Sequence, residues 1–267
     1  MNEIRRAGNK GRFYPADPVQ IDEMIDYWNH TIDENIKDKS IWDLKPKAII
    51  SPHAGYIFSG FTANIAHRLL ANTGAKRIII IGPSHHVYIK GVSISKFTKY
   101  DTPYGYLEID TNYIQKLQEE FNFDFESQAH FLEHSTETQM PFIKKYNPDV
   151  KIVELIYGNI HYTKLYQIIK FILKDPINAV VISSDLSHFH NLETAEAIDQ
   201  NCLTGVANKN LTILSSDCEA CGITGIKAII EAAIKLELKT KLLDYRTSAD
   251  ASKDETRVVG YMSAAVY

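Results

Sequence analysis

Residues 76–86 read Lys76-Arg-Ile-Ile-Ile-Ile-Gly82-Pro-Ser-His-His86. Four consecutive isoleucines show no alternation of apolar and polar positions. Such a run predicts a strand buried on both faces, the habit of parallel sheets covered by helices. Gly82-Pro83 ends the run, and two histidines follow at once. Three other stretches have the same form. Pro46-Lys-Ala-Ile-Ile runs into Ser51-Pro-His53-Ala-Gly55. Val150-Lys-Ile-Val-Glu-Leu-Ile runs into Tyr157-Gly158, and Ala179-Val-Val-Ile runs into Ser183-Ser-Asp185-Leu-Ser-His188. In an open α/β sheet, ligands bind just beyond the carboxyl ends of the strands. With these four strands as parallel neighbours, His53, His85 and His188 gather at one edge, and three imidazoles there suggest a metal site.

Working outward, a helix over about 60–70 joins strand 47–51 to strand 77–82, a βαβ unit. A second unit joins strand 150–156, helix 162–174 and strand 178–183. Asp17-Pro18 predicts a capped helix over about 19–30, with proline at its first position. Shorter strands are expected at 91–97 and 105–109 around the Thr102-Pro103-Tyr104-Gly105 turn. Further helices are expected over 111–121, from about 133, and over 193–207 and 222–236. Lys241–Arg246 and Arg257–Tyr267 read as paired, antiparallel strands. The expectation is one α/β domain over 1–267, with a mixed, largely parallel central sheet flanked by helices.

The bulk numbers agree. The 267 residues are 45% hydrophobic and 23% charged, an ordinary globular composition. A net charge of −4 argues against nucleic acid and anionic membranes as partners. No apolar run reaches the ~20 residues of a membrane span, and residues 1–8 lack the apolar core of a signal peptide. Three cysteines is a low, odd count that points to a reducing cytoplasm rather than a disulfide framework. Cys202, in an expected helix, reads as buried and inert.

Several residues invite chemistry. His53 is held by the Pro52 and Gly55 turn. Of His85 and His86, only one can face His53, because neighbouring side chains of extended backbone point apart. Asp185 could orient a histidine ligand, and His188 could be a ligand or a general base; His190 reads as surface. Glu133-His134-Ser-Thr-Glu137 places His134 and Glu137 on one helical face, as an acid/base pair or as an ordinary acidic helix start. Cys218-Glu-Ala-Cys221 precedes a helix, where a thiol becomes a better ligand. A lone C-x-x-C is weak support for a closed zinc site. Two imidazoles and one anion with open positions suit Fe(II), and also Zn²⁺ with bound water. The anion could be Cys221, Glu219 or Asp185.

Taken together, Arg6-Ala-Gly-x-x-Gly-x-Phe-Tyr-Pro15, Ser51-Pro-His-Ala-Gly-Tyr56, Gly82-Pro-Ser-His-His86, Glu133-His-Ser-x-Glu137, Ser183-Ser-Asp-x-x-His188 and Cys221-Gly222 resemble the Memo-like family over nearly the whole chain. The resemblance implies a fold similar to class III extradiol ring-cleaving dioxygenases, which hold Fe(II) with two histidines and a carboxylate. It implies His53, His85 and Cys221 as metal ligands, with His188 and His134 as active-site histidines. Cys221 stands where the dioxygenases have a carboxylate, a departure that bears directly on ring cleavage. The resemblance also implies iron or copper binding and redox roles, a small-molecule or peptide ligand in the metal cleft, and a protein partner in a modification pathway. The expected function is thus a metal-binding, non-haem oxidoreductase, with a zinc hydrolase or a binding protein on a vestigial enzyme fold as alternatives. In the last case Tyr56, Tyr100, Tyr104, Tyr106 and Arg257 would line the cleft.

Overall fold

Eleven strands form one sheet in the computed structural model, which describes residues 4–267. In chain order the strands are β1 (Ile4–Arg5), β2 (Ala48–Ser51), β3 (Arg77–Pro83), β4 (Val92–Ile94), β5 (Lys99–Thr102), β6 (Gly105–Ile109), β7 (Lys151–Tyr157), β8 (Asn178–Ser183), β9 (His188–His190), β10 (Thr240–Thr247) and β11 (Val258–Val266). The helices are α1 (Pro18–Asn35), α2 (Tyr56–Leu70), α3 (Thr111–Phe121), α4 (Ser127–Leu132), α5 (His134–Glu137), α6 (Met140–Tyr146), α7 (Tyr162–Leu173), α8 (Leu192–Ala207), α9 (Leu211–Ser216), α10 (Ile223–Lys235) and α11 (Ala249–Ser252).

The main path of the sheet is β1-β5-β6-β7-β3-β8-β2-β11-β10. Its centre, β7-β3-β8-β2, is parallel throughout. Ile78 through Ile81 are fully buried, as are Ile49, Ile50 and Val180 through Ile182. Unbroken apolar runs are stable there because helices cover both faces of the strands. On one flank β11 runs antiparallel to β2, and β10 to β11, as the alternating carboxyl-terminal pattern predicted. α2 packs on β2, β10 and β11, while α7 and α10 pack on each other and on β8.

The register of the centre decides the geometry of the site. Ser51 lies opposite Ser183, Ile81 opposite Ile182, and Pro83 opposite Tyr157. The strands therefore end nearly level. His53, His85 and Asp185 each come two residues after the end of β2, β3 and β8 respectively, so they rise from one edge at one height.

Local chemistry sets the boundaries. Asp17 caps α1 by accepting from the Val19 N–H, with Pro18 at the first position, as expected; α1 continues to Asn35 because Ile21, Ile25, Trp28 and Ile32 keep one buried face. α2 starts at Tyr56, four residues earlier than its pattern suggested, directly after Gly55. The segment from Glu133 is two short helices, α5 and α6, separated by Thr138 and Gln139. β1 and β9 exist only through distant partners, β5 and β11. Among the described residues, no helix is long and apolar enough to cross a membrane.

Candidate metal centre

One donor atom from each of His53, His85 and Cys221 can be chosen so that all lie within 4.8 Å of one another. Around a single ion, donors at ~2.0–2.3 Å are at most about 4.6 Å apart, so the spacing needs only a small inward movement.

The neighbours of each imidazole decide which nitrogen it offers. His53 Nδ1 is 2.8 Å from Ser183 Oγ. That hydroxyl already donates its one hydrogen to the Ser135 carbonyl at 2.6 Å. Ser183 must therefore accept, His53 carries its proton on Nδ1, and the Nε2 lone pair faces Cys221 Sγ at 3.3 Å. The Gln139 amide also donates to Ser183 Oγ and to the Pro52 carbonyl, which locks the support. His85 is held in the same sense. Its Nδ1 lies 2.8 Å from Glu133 Oε1, and its backbone N–H donates to Glu133 Oε2 at 2.6 Å. Both histidines are thus oriented through Nδ1 and free at Nε2, the arrangement that buttressed metal-ligating histidines show.

Electrostatics point the same way. Burial, followed by the nearby charge of His85, pushes the His53 imidazole down to about 3, so it is neutral near pH 7. Burial and then His53 hold His134 at about 4. Burial alone would raise Glu133, but its hydrogen bond to His85 and the His85 charge, aided by backbone N–H groups, hold it at about 2. The carboxylate is therefore ionised. Burial and the Asp185 charge push the Cys221 thiol up to about 12. Cys221 thus keeps its proton unless a cation arrives to compensate the thiolate. Two imidazoles and one ionisable thiol form a donor set that fits iron, copper or zinc.

His85, Glu133 and His134 form a second close cluster. Glu133 accepts from two groups of His85 and from the Ser135 N–H, which occupies its lone pairs as a support rather than a ligand.

The chain matches the family model described as Memo-like protein over residues 5–265. The chain belongs to the Memo-like family. Relatives described as MEMO1 family proteins include one from Aquifex aeolicus, 30% identical with 97% of each chain covered. Another, from Methanococcus maripaludis, is 32% identical over 96% of this chain and 97% of its own. A third, from Methanocaldococcus jannaschii, is 31% identical over the full length of both.

In this Memo-like chain the other candidates fall into two groups. His134 joins the histidine cluster: its ring centroid lies 4.6 Å from His85 and 5.4 Å from His53, and it faces Phe13 at 4.7 Å. It also lines a cleft of about 300 Å³ with Arg12, Phe13, His86, Phe131 and Leu132. Asp185 accepts from the His53 backbone N–H at 2.7 Å, and its other oxygen stands 3.9 Å from His53 Nε2. Burial raises its carboxyl, against that hydrogen bond and the His188 charge. Its role is to fix the His53 backbone, whereas Ser183 orients the ring.

The remaining candidates lie elsewhere. Glu137 is no partner for His134. It is fully buried and accepts from Arg5, the Gly8 and Asn9 N–H groups, the Asn9 amide and the Tyr14 hydroxyl. Glu219 accepts from the His188 N–H and pairs with His190 at 2.9 Å, and it is not one of the donors that converge with His53, His85 and Cys221. The tyrosines do not line the cleft beside His134; Tyr56 lines a separate hollow of about 280 Å³ with Tyr14 and Gly55. Tyr56 and Tyr100 are buried, bonded to the Thr138 carbonyl and Glu154; Tyr104 bonds Asp22, and Tyr106 is exposed. Arg257 lies over Phe189.

The cysteines need the largest correction. Cys202 is not an inert thiol: it forms a disulfide with Cys218, because α8 runs beside the loop before α10 with the two Cα atoms 4.7 Å apart. The C-x-x-C pair is thereby split. Cys218 turns to α8, and Cys221 turns to His53.

Ser183, Gln139 and Glu133 are the supports that sequence reasoning missed. Ser183 and Glu133 sit inside motifs it singled out, but their pairing with histidines 130 and 48 residues away appears only in the fold.

Proposed function

We propose that this Memo-like protein binds one transition-metal ion, iron foremost, through His53 Nε2, His85 Nε2 and Cys221 Sγ, and acts as a non-haem oxidoreductase of the extradiol type. The observation that carries the reading is the donor triad with both Nδ1 protons already committed. A bound metal would supply Lewis acidity and open coordination positions for a chelating substrate and an oxidant.

The chain's own groups then divide the remaining work. The neutral His134 imidazole stands on the wall of the adjoining cleft and can take a proton from a hydroxyl-bearing substrate. Phe13, Phe131 and Leu132 give that cleft apolar walls, and Arg12 supplies a cation beside them. His188 lies near enough to act electrostatically on both His53 and Asp185.

A zinc-dependent hydrolase is the second reading. It is supported by Asp185, a carboxyl with a raised pKa 3.9 Å from His53 Nε2, where it could serve as base. Glu137 is removed as an alternative base by its five donors.

The test is metal content of protein purified without oxygen, for the wild type, His53→Ala and Cys221→Ala, followed by oxygen uptake with a panel of diols. Near-stoichiometric iron, lost in both variants, with iron-dependent uptake is the expected result. Zinc with oxygen-independent hydrolysis would replace it by the second reading. No metal even after adding Fe(II) would leave a binding protein on an enzyme fold.

A further inference from the structure

Cys221 does not sit on a regular element. It lies in the loop 217–222, between α9 and α10. Ties along its length hold that loop, beside the hydrogen bond from Asn201 Nδ2 to the Asp217 carbonyl at 3.3 Å. At its far end, Cys221 Sγ accepts from the Asp185 N–H at 3.3 Å, and the Gly222 N–H donates to Ser184 Oγ at 2.9 Å. A Cβ on Gly222 would come within 2.5 Å of Ser184 Cβ, so the approach leaves no slack. In the middle, Glu219 is bonded to His188 and His190 through exposed groups. At the near end the tie is covalent: Cys218 is joined to Cys202, which is fully buried on α8, a helix packed on β10 and β11.

We infer that the Cys202–Cys218 disulfide is a positioning element for the metal donor Cys221, and that reducing it weakens the metal centre. This rests on the metal-binding reading above. The bond is reachable, because Cys218 is partly exposed between exposed Asp217 and Glu219, whereas Cys202 is not. A thiolate of an external dithiol attacks Cys218 Sγ; the S–S bond breaks, and Cys202 leaves with the electron pair and takes a proton. The second thiol of the dithiol then closes on the mixed disulfide and releases Cys218 as a thiol. The protein gains two electrons and two protons, and the dithiol becomes its disulfide. The loop then keeps its hydrogen bonds, the middle ones open to water, and the packing of Cys218 and Ala220 on the core, with no covalent tie.

Two readouts test this on the full chain: disulfide-bonded wild type, wild type reduced with dithiothreitol and desalted without oxygen, and Cys202→Ala/Cys218→Ala. The first is the rate of iodoacetamide alkylation at Cys221 in metal-free protein, mapped by mass spectrometry. The second is anaerobic Co(II) titration, followed through the thiolate-to-cobalt charge-transfer band. The expected result is several-fold faster alkylation and about ten-fold weaker Co(II) binding in both disulfide-free forms, the scale of losing a support behind a ligand. Equal alkylation rates and equal Co(II) affinities in all three forms would overturn the proposal. Faster alkylation with no Co(II) bound by any form would overturn the metal reading and leave the clamp standing.

Discussion

Glu133 shows how one side chain sets the quality of a ligand. It holds the His85 ring and backbone at once, and its charge raises the basicity of the free Nε2. Glu133→Gln keeps the shape but removes the charge and one acceptor. Metal affinity is expected to fall by ~10–100-fold, the range for such supports, with secondary structure unchanged. Isothermal titration with Zn²⁺ or Co²⁺ would check this, and an unchanged affinity would refute it. Residue identity was legible wherever chemistry and position coincide. His53 and His85 announce themselves by following a buried run. Glu133 did not, because its partner lies on another strand end. Cys202 did not, because a disulfide is a statement about two backbones meeting in space.

At the scale of elements, the four central strands were legible because their apolar runs are long and end in Gly or Pro. The early start of α2 was not: its cap, Gly55, makes no side-chain hydrogen bond, so no Ser, Thr or Asp marks the boundary. β1 and β9 are too short to declare themselves and are strands only by virtue of their partners. The same holds for the pairing of the amino-terminal segment with α5. Arg5 and Glu137 are both fully buried, with further donors from Gly8, Asn9 and Tyr14 completing the carboxylate. Arg5→Met would strand a buried charge and is expected to cost about 3–5 kcal/mol. The double variant Arg5→Met/Glu137→Gln is expected to recover part of that loss. Urea unfolding of the three proteins measures both terms, and a single variant as stable as the wild type would remove this pair from the fold's supports.

For the whole molecule, buried neutral histidines make stability depend on acid. His67 lies inside, donating from Nε2 to Gln139 at 2.7 Å and stacked on Phe142. Burial lowers it to about 4, against 6.5 when exposed. Between these values the unfolded chain binds the proton and the folded chain does not. The contribution is complete above pH 6.5 and is lost as pH falls toward 4, by about 3 kcal/mol in all. The stability difference between wild type and His67→Leu should therefore shift in favour of the variant by up to that amount between pH 7 and pH 4. Denaturant unfolding across the range reads the shift directly, and a constant difference would show that His67 takes up its proton equally in both states.

The arrangement around Glu137 carries one more consequence. Residues 8–13 help wall the cleft beside His134, yet they are fixed by a carboxylate well over a hundred positions downstream. Ribosomal synthesis makes this wall first and its anchor much later. The opening segment must wait, undocked, while half the molecule is translated, and the pocket closes on that side only when the anchor arrives. Trimming the front of the chain would therefore remove β1, leave the buried Glu137 carboxylate without its donors and leave the cleft with a missing side.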